Sequence, residues 1–260
     1  MDFKLLTSNL LEDYKRIVGE SPLLQIDKVE KPEIPVDYFQ FYKSVSSVYS
    51  SKIEGEDIDF DSYFKHKFLK VKFKADYTRK ADDLYLAYNF IDNQKLNLEN
   101  VLKAHSILSS KFLPKSQQGL IRTNPMFVIN NDDKIEYVAS SPDIVKQELD
   151  KLFYDIKLLM GKELNPFEIF YYASLIHLVF VKIHPFQDGN GRTARLIEKW
   201  FLIEKIGIKA TSIQLEKNYY KNLIDYYANI KKLGLEYDYL DYNKSLDFLL
   251  MTVQGILDKK

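Results

Sequence analysis

The chain is 260 residues long and carries 37 basic and 37 acidic side chains, so its formal net charge is zero. That length buries a sizeable core in one large or two small domains, and the even charge gives no basic field to draw nucleic acid. Cysteine is absent, which excludes disulfides and thiolate metal sites and fits a reducing, cytoplasmic location. The acidic start, with Asp2, Glu12 and Asp13, is not that of a signal peptide. No apolar run is read as a membrane span, so neither nucleic acid nor membrane is an expected partner.

Apolar periodicity predicts a mainly α fold. The helices expected in chain order are Leu5–Val18, Val36–Ile53, Asp61–Val71, Asp76–Ile91, Leu98–Ser109, Pro142–Met160, Pro166–Ile183, Asn190–Ile206, Glu216–Lys232 and Tyr239–Leu257. Pro32 and Pro35 bracket a short linker before the second of these. One region breaks the pattern. The β-prone runs Met126–Ile129 and Ile135–Val138 flank the polar segment Asn130–Lys134, and together they read as a β-hairpin.

The second helix ends in Ser50-Ser51-Lys52-Ile53-Glu54-Gly55. Gly55 is a natural helix stop. Glu54 then lies near a helix C-terminus, where a negative charge is unfavourable unless a cation compensates it.

The densest chemistry lies in His184-Pro185-Phe186-Gln187-Asp188-Gly189-Asn190-Gly191-Arg192-Thr193-Ala194-Arg195. Pro185 disfavours helical backbone at the residue before it, so the helix ends and the His184 imidazole is left at the mouth of a loop. Gly189 and Gly191 allow backbone angles that other residues resist. They precede a new helix near Asn190, whose free N–H groups and dipole favour an anion. Arg192 and Arg195 share one face of that helix, at the end where the dipole disfavours cations. The chain has only five arginines among its 37 basic residues. Using two of them here suits bidentate contact with phosphate. Phe186 is expected to anchor the loop on the core, and His66, His105 and His177 read as structural.

The segment resembles the signature of the Fic family, H-P-F-x-[DE]-G-N-G-R-x-x-R, at every fixed position. Ser50, Glu54 and Gly55 are similar to that family's inhibitory motif, [ST]-x-x-x-E-[GN]. The resemblance implies a Fic fold, a helical bundle with the hairpin as a flap over the active site. It also implies three regions: residues 1–95 with the inhibitory motif, 96–205 as the core, and 206–260 as helices packed on that core.

By the same resemblance the chain is an adenylyltransferase that moves AMP from ATP to a Tyr, Thr or Ser hydroxyl of a target protein, or to itself. His184 is then the base and Asp188 the Mg²⁺ ligand. Gly189, Asn190, Gly191, Arg192 and Arg195 hold the phosphates, and Tyr219 and Tyr220 line the adenine pocket. Eight residues after Tyr219, where some relatives carry an adenine-contacting Asn, this chain has Tyr227. Val128, Ile129, Tyr137 and Val138, following the Gly119–Arg122 segment, dock the target as a strand. Glu54 pairs with Arg195 and inhibits the enzyme. The alternatives are removal of AMP, or both directions, through Glu54, and a non-catalytic nucleotide sensor. The oligomeric state is left open.

Overall fold

The computed structural model describes residues 2–27, 33–129 and 133–257. The tip of the expected hairpin, Asn130 to Asp132, and Pro32 of the expected linker lie outside them. The elements in order are α1 (Leu11–Val18), α2 (Pro22–Asp27), α3 (Tyr38–Ile53), α4 (Phe60–Leu69), α5 (Ala75–Phe90), α6 (Leu98–Leu108), β1 (Phe127–Ile129), β2 (Ile135–Val138), α7 (Val145–Met160), α8 (Pro166–Ile183), α9 (Asn190–Ile206), α10 (Leu215–Lys221), α11 (Leu223–Lys231) and α12 (Leu246–Leu257). The fold is the expected one, a helical bundle with one small hairpin.

Helix α8 is the axis of the bundle and packs on α1, α2, α7, α9 and α12. Its start is set by Pro166 in the first turn and by a reciprocal cap between Asn165 and Glu168. Apolar all round, it is long and apolar enough to cross a membrane, which corrects the expectation that no run qualifies. Yet 78% of it is buried inside the fold, as befits a central helix with no solvated face. Residues from Leu6 to Ile256 join one hydrophobic cluster, so all three regions expected from sequence contribute to a common core.

Three departures have local causes. Residues 4–6 are not helical, because their backbone N–H groups donate to the buried Asp155 carboxylate at 2.8–3.1 Å. The single helix expected over Glu216–Lys232 is split at Asn222, whose side chain donates to the Asn218 carbonyl at 3.0 Å and competes with the backbone. The last helix begins at Leu246 rather than Tyr239, after two short 3₁₀ turns.

Helix α3 is held by polar contacts as well as apolar ones. Its Ser46 hydroxyl donates to Glu216 at 2.8 Å, and Glu216 also accepts from Tyr88 at 2.7 Å and pairs with Lys199 at 3.4 Å. All of these groups are buried, so the C-terminal turn of α3 is delivered to a fixed place beside α9.

Candidate active site

The loop between α8 and α9 is shaped by backbone and side-chain bonds. His184 caps α8 in the left-handed region, φ 54° and ψ 58°, a strained conformation for a residue with a Cβ. Arg122 secures it. Its Nε donates to the His184 carbonyl at 2.7 Å, and its terminal nitrogens donate to the carbonyls of Asn124 at 2.8 Å and Ser140 at 2.5 Å. Arg122 N–H adds a bond to the Pro185 carbonyl at 2.9 Å.

His105 supports the other side of the loop. Its Nδ1 accepts from Gly119 N–H at 2.8 Å, so Nε2 carries the proton and donates to the Asp188 carbonyl at 2.9 Å. Its ring stacks on Phe186 at 3.7 Å. Phe186 is fully buried, the anchor expected of it. Burial pulls His105 down to about 4. A Cβ on Gly119 would meet the Leu102 carbonyl at 2.6 Å, so that turn admits only glycine.

The His184 ring is oriented by its own helix. Nδ1–H donates to the Val181 carbonyl at 3.1 Å, which leaves Nε2 as the basic atom in the cavity. Burial lowers its pKa to about 4, against the opposing effect of the Val181 bond and with help from the Arg122 charge. The imidazole is therefore neutral near pH 7 and able to accept a proton.

At the start of α9, Gly189 (φ 82°) turns the chain, and the first ladder bond runs from Thr193 N–H to the Gly189 carbonyl at 2.9 Å. The N–H groups of residues 190–192 thus precede the helical ladder. The Asn190 carboxamide does not face them. It clasps Phe186, accepting from its N–H at 2.9 Å and donating to its carbonyl at 2.8 Å, so only the backbone of Asn190 is available to an anion. Arg192 lies over the Phe112 ring at 3.7 Å and reaches Asp188 at 3.3 Å. Its buried Nε has no partner, which marks an unfilled polar position.

Arg195 is 1% exposed and fully engaged. Nε donates to Ser50 Oγ at 2.9 Å, one terminal nitrogen donates to Glu54 Oε1 at 2.7 Å, and the other donates to the Tyr226 hydroxyl at 3.3 Å. Burial alone would raise the Glu54 carboxyl, but the Arg195 and Arg192 charges outweigh it and hold it below the usual range. Glu54 also overhangs Gly191, where an added Cβ would come within 2.8 Å of Oε1.

A cavity of about 240 Å³ opens beside this cluster. Glu54, His184, Gly191 and Arg195 line one side, Val128, Glu136 and Tyr137 of the hairpin another, and Tyr226, Tyr227 and Ile230 of α11 a third.

The expected pair Tyr219 and Tyr220 lies outside this cavity. Tyr219 is fully buried, with its hydroxyl on Glu198 at 2.8 Å, and Tyr220 packs against Tyr49. Neither reaches the cavity. Tyr226 and Tyr227 of α11, beyond the split at Asn222, line it instead.

The four hairpin residues expected to dock a target are placed differently from one another. Phe127 pairs with Val138 and Val128 with Tyr137. Tyr137 is buried and donates to the Lys182 carbonyl at 2.6 Å, while Val138 N–H is taken by the Leu235 carbonyl at 2.8 Å. These two residues fasten the hairpin down rather than presenting it. Val128 faces the cavity and Ile129 is exposed, so the accessible strand is β1.

Asp188 is about half exposed. Among the described residues no group of three or more His, Asp or Glu side chains is set to hold a metal. One carboxylate beside an anion site suits Mg²⁺ only when phosphate oxygens complete the shell.

Fold and site define a helical protein that presents a histidine beside a helix terminus whose first N–H groups precede the ladder. Residues 95–202 match the Fic/DOC family, so this segment is a Fic domain. The chain is 28% identical over 141 residues to "Protein adenylyltransferase Fic" of Nematostella vectensis, covering 54% of this chain and 29% of that protein. It is 27% identical over 106 residues to "Protein adenylyltransferase fic-1" of Caenorhabditis elegans, covering 41% and 19%. The matched segments thus span less than a third of either relative. Among solved structures, a Fic family protein from Desulfovibrio desulfuricans superposes with a TM-score of 0.76 at 16% identity, over 99% of this chain and 75% of that one. The C. elegans Fic-1 structure gives 0.67 at 16% identity, over 96% and 70%. At that identity the likeness is one of fold.

Proposed function

We propose that the protein transfers AMP from ATP to a hydroxyl of a target protein, and that Glu54 restrains it. The observation that carries this reading is the position of Glu54. Its carboxylate lies against Arg195 and over Gly191, at the helix terminus suited to a phosphate, while His184 Nε2 opens into the same cavity.

The chemistry follows from these groups. The target hydroxyl gives its proton to His184 Nε2 as its oxygen attacks the α-phosphorus. The bond to the β-phosphate oxygen breaks and pyrophosphate leaves. Backbone N–H groups at the start of α9 and the Arg192 guanidinium stabilise the charge that builds on the transferring group. Arg195 is suited to the terminal phosphate once Glu54 withdraws. Mg²⁺, held by Asp188 and phosphate oxygens, would neutralise further charge there. The exposed edge of β1 is suited to hold the target segment by strand pairing. The zero net charge and lack of cysteine suit a cytoplasmic setting.

A second reading rests on one fact. Glu54 and His184 line the same cavity, so Glu54 could instead position water for removal of AMP. Glu54→Gly separates the two. Under the first reading, self-modification with labelled ATP rises at least about tenfold, and Arg195→Ala in that background removes the gain. Unchanged transfer together with loss of AMP release from a modified substrate would establish the second reading instead.

A further inference from the structure

The transfer reading uses Arg195 but leaves unexplained a fully buried polar chain behind it. The Tyr226 hydroxyl, which accepts from Arg195, lies 3.0 Å from His177 Nε2, and His177 Nδ1 lies 2.6 Å from Glu198 Oε2. Glu198 Oε1 accepts from Tyr219 at 2.8 Å and from Thr252 at 2.7 Å. His177 and Glu198 are wholly excluded from solvent, and Tyr226 is 1% exposed.

Only one proton arrangement satisfies every member. Tyr226 has a single hydroxyl hydrogen. Since its oxygen accepts from Arg195, that hydrogen is free to be donated to His177 Nε2. His177 must then carry its proton on Nδ1 and donate to Glu198. The carboxylate fixes the tautomer of the histidine, the histidine fixes the hydroxyl of the tyrosine, and the tyrosine presents a lone pair to Arg195. A buried polar chain of this kind is costly unless complete. An apolar core would have cost less to assemble, so the chain calls for an explanation in its effect on Arg195.

We infer that Glu198, His177 and Tyr226 are positioning residues that keep the Arg195 guanidinium aimed at the terminal phosphate of the nucleotide after Glu54 leaves. The geometry supplies the reason. With Glu54 withdrawn, Ser50 still holds Nε through Oγ and the nitrogen that faced Glu54 through its carbonyl, at 3.2 Å, and Tyr226 still holds the other terminal nitrogen. One hydrogen of the nitrogen that faced Glu54 is freed, and the guanidinium plane stays fixed between Ser50 on one edge and Tyr226 at the other end. Without Tyr226 the guanidinium would be held along its Ser50 edge alone, and the freedom this leaves at its far end would be lost again on each binding event. The inference rests on the nucleotide reading above and adds the device that makes Arg195 effective.

The test measures nucleotide affinity by calorimetry in the Glu54→Gly protein, with ATP and ADP in parallel. Arg195 is expected to meet only the third phosphate, so a positioning defect affects ATP alone. Tyr226→Phe, which keeps the ring and removes the hydroxyl, is expected to weaken ATP about tenfold, the loss of one bond to a charged group, and to leave ADP unchanged. His177→Phe should do the same, and His177→Gln, which keeps an acceptor toward Tyr226, should recover most of the affinity. Circular dichroism checks that each variant is folded, and Tyr226→Phe keeps the test open if the histidine variants are not. Equal weakening of ATP and ADP would mean that Tyr226 merely shapes the cavity, and unchanged affinity for both would mean that Arg195 needs no support; either result overturns the inference. Failure of the Glu54→Gly protein to bind either nucleotide would overturn the nucleotide reading itself, and the inference with it.

Discussion

Glu54 Oε1 and Gly191 stand so close that a Cβ on the glycine would approach the carboxylate to 2.8 Å, and Arg195 to 3.2 Å. The absence of a side chain at position 191 is what lets an acidic group from a helix 137 positions earlier in the sequence settle at the start of α9.

Gly191→Ala should therefore be coupled to Glu54. In the parent the new methyl displaces the carboxylate and weakens its pair with Arg195, so the variant loses stability. In the Glu54→Gly background the clash with the carboxylate is gone, and Ala is the better helix former. A double-mutant cycle from chemical denaturation should give a coupling of about 1 kcal/mol or more. Strict additivity would mean that the carboxylate relaxes without cost.

The pH dependence of transfer follows from His184. The neutral imidazole is the base, and its pKa in the fold is lowered to about 4. Protonation disables it only as pH falls through that value, so the initial rate in the Glu54→Gly protein should stay flat well below about 6.5, the ordinary histidine value. Removing Glu54 also removes an influence that raises His184, which moves the limb further in the same direction. His184→Ala should lower the rate about 10²–10⁴-fold. An inflection near 6.5 in single-turnover rates would place the base elsewhere.

Stability has its own pH signature from His105 and His184, both lowered to about 4 in the fold. As pH falls below about 6.5 the unfolded chain binds these protons before the folded one does. Stability present above that value is therefore lost progressively toward pH 4, a decline measurable as Tm against pH. His105→Gln, which removes one of the two groups, should flatten the decline while lowering Tm at neutral pH through loss of the stack on Phe186.

Arg122→Lys tests the clamp on the strained His184 backbone. A lysine cannot reproduce a planar fork that reaches three carbonyls. The change should cost about 2 kcal/mol or more of stability and depress transfer through misplacement of His184. Normal stability and normal rate together would show that the loop holds itself.

Asp188→Ala should depress transfer and weaken its dependence on Mg²⁺, and excess EDTA should abolish transfer in the Glu54→Gly protein. Full activity in metal-free buffer would leave Asp188 as the partner of Arg192 only.

What the sequence determined by itself is local. Within His184–Arg195 a proline, two glycines and two arginines three residues apart follow one another closely enough for backbone geometry alone to set a loop mouth, a helix start and a shared face. Helices as regular as α8 and α9 are legible for the same reason, since their period and caps lie in adjacent residues. The tertiary structure decided which distant groups complete the site. Arg195 and Glu54 meet across 141 positions; the resemblance of Ser50, Glu54 and Gly55 to an inhibitory motif implied that pair, but the charge of Glu54 at a helix end does not by itself choose its partner. Arg122 was visible as one of five arginines, but its task depends on where three carbonyls converge. The tyrosines show the limit most clearly: an uninterrupted helix would not reveal that the run is split at Asn222 and that Tyr226 and Tyr227 beyond it line the cavity. Short-range order follows from bond rotations between neighbours, whereas a buried charge or hydroxyl takes whichever partner the packing of separate helices brings within reach.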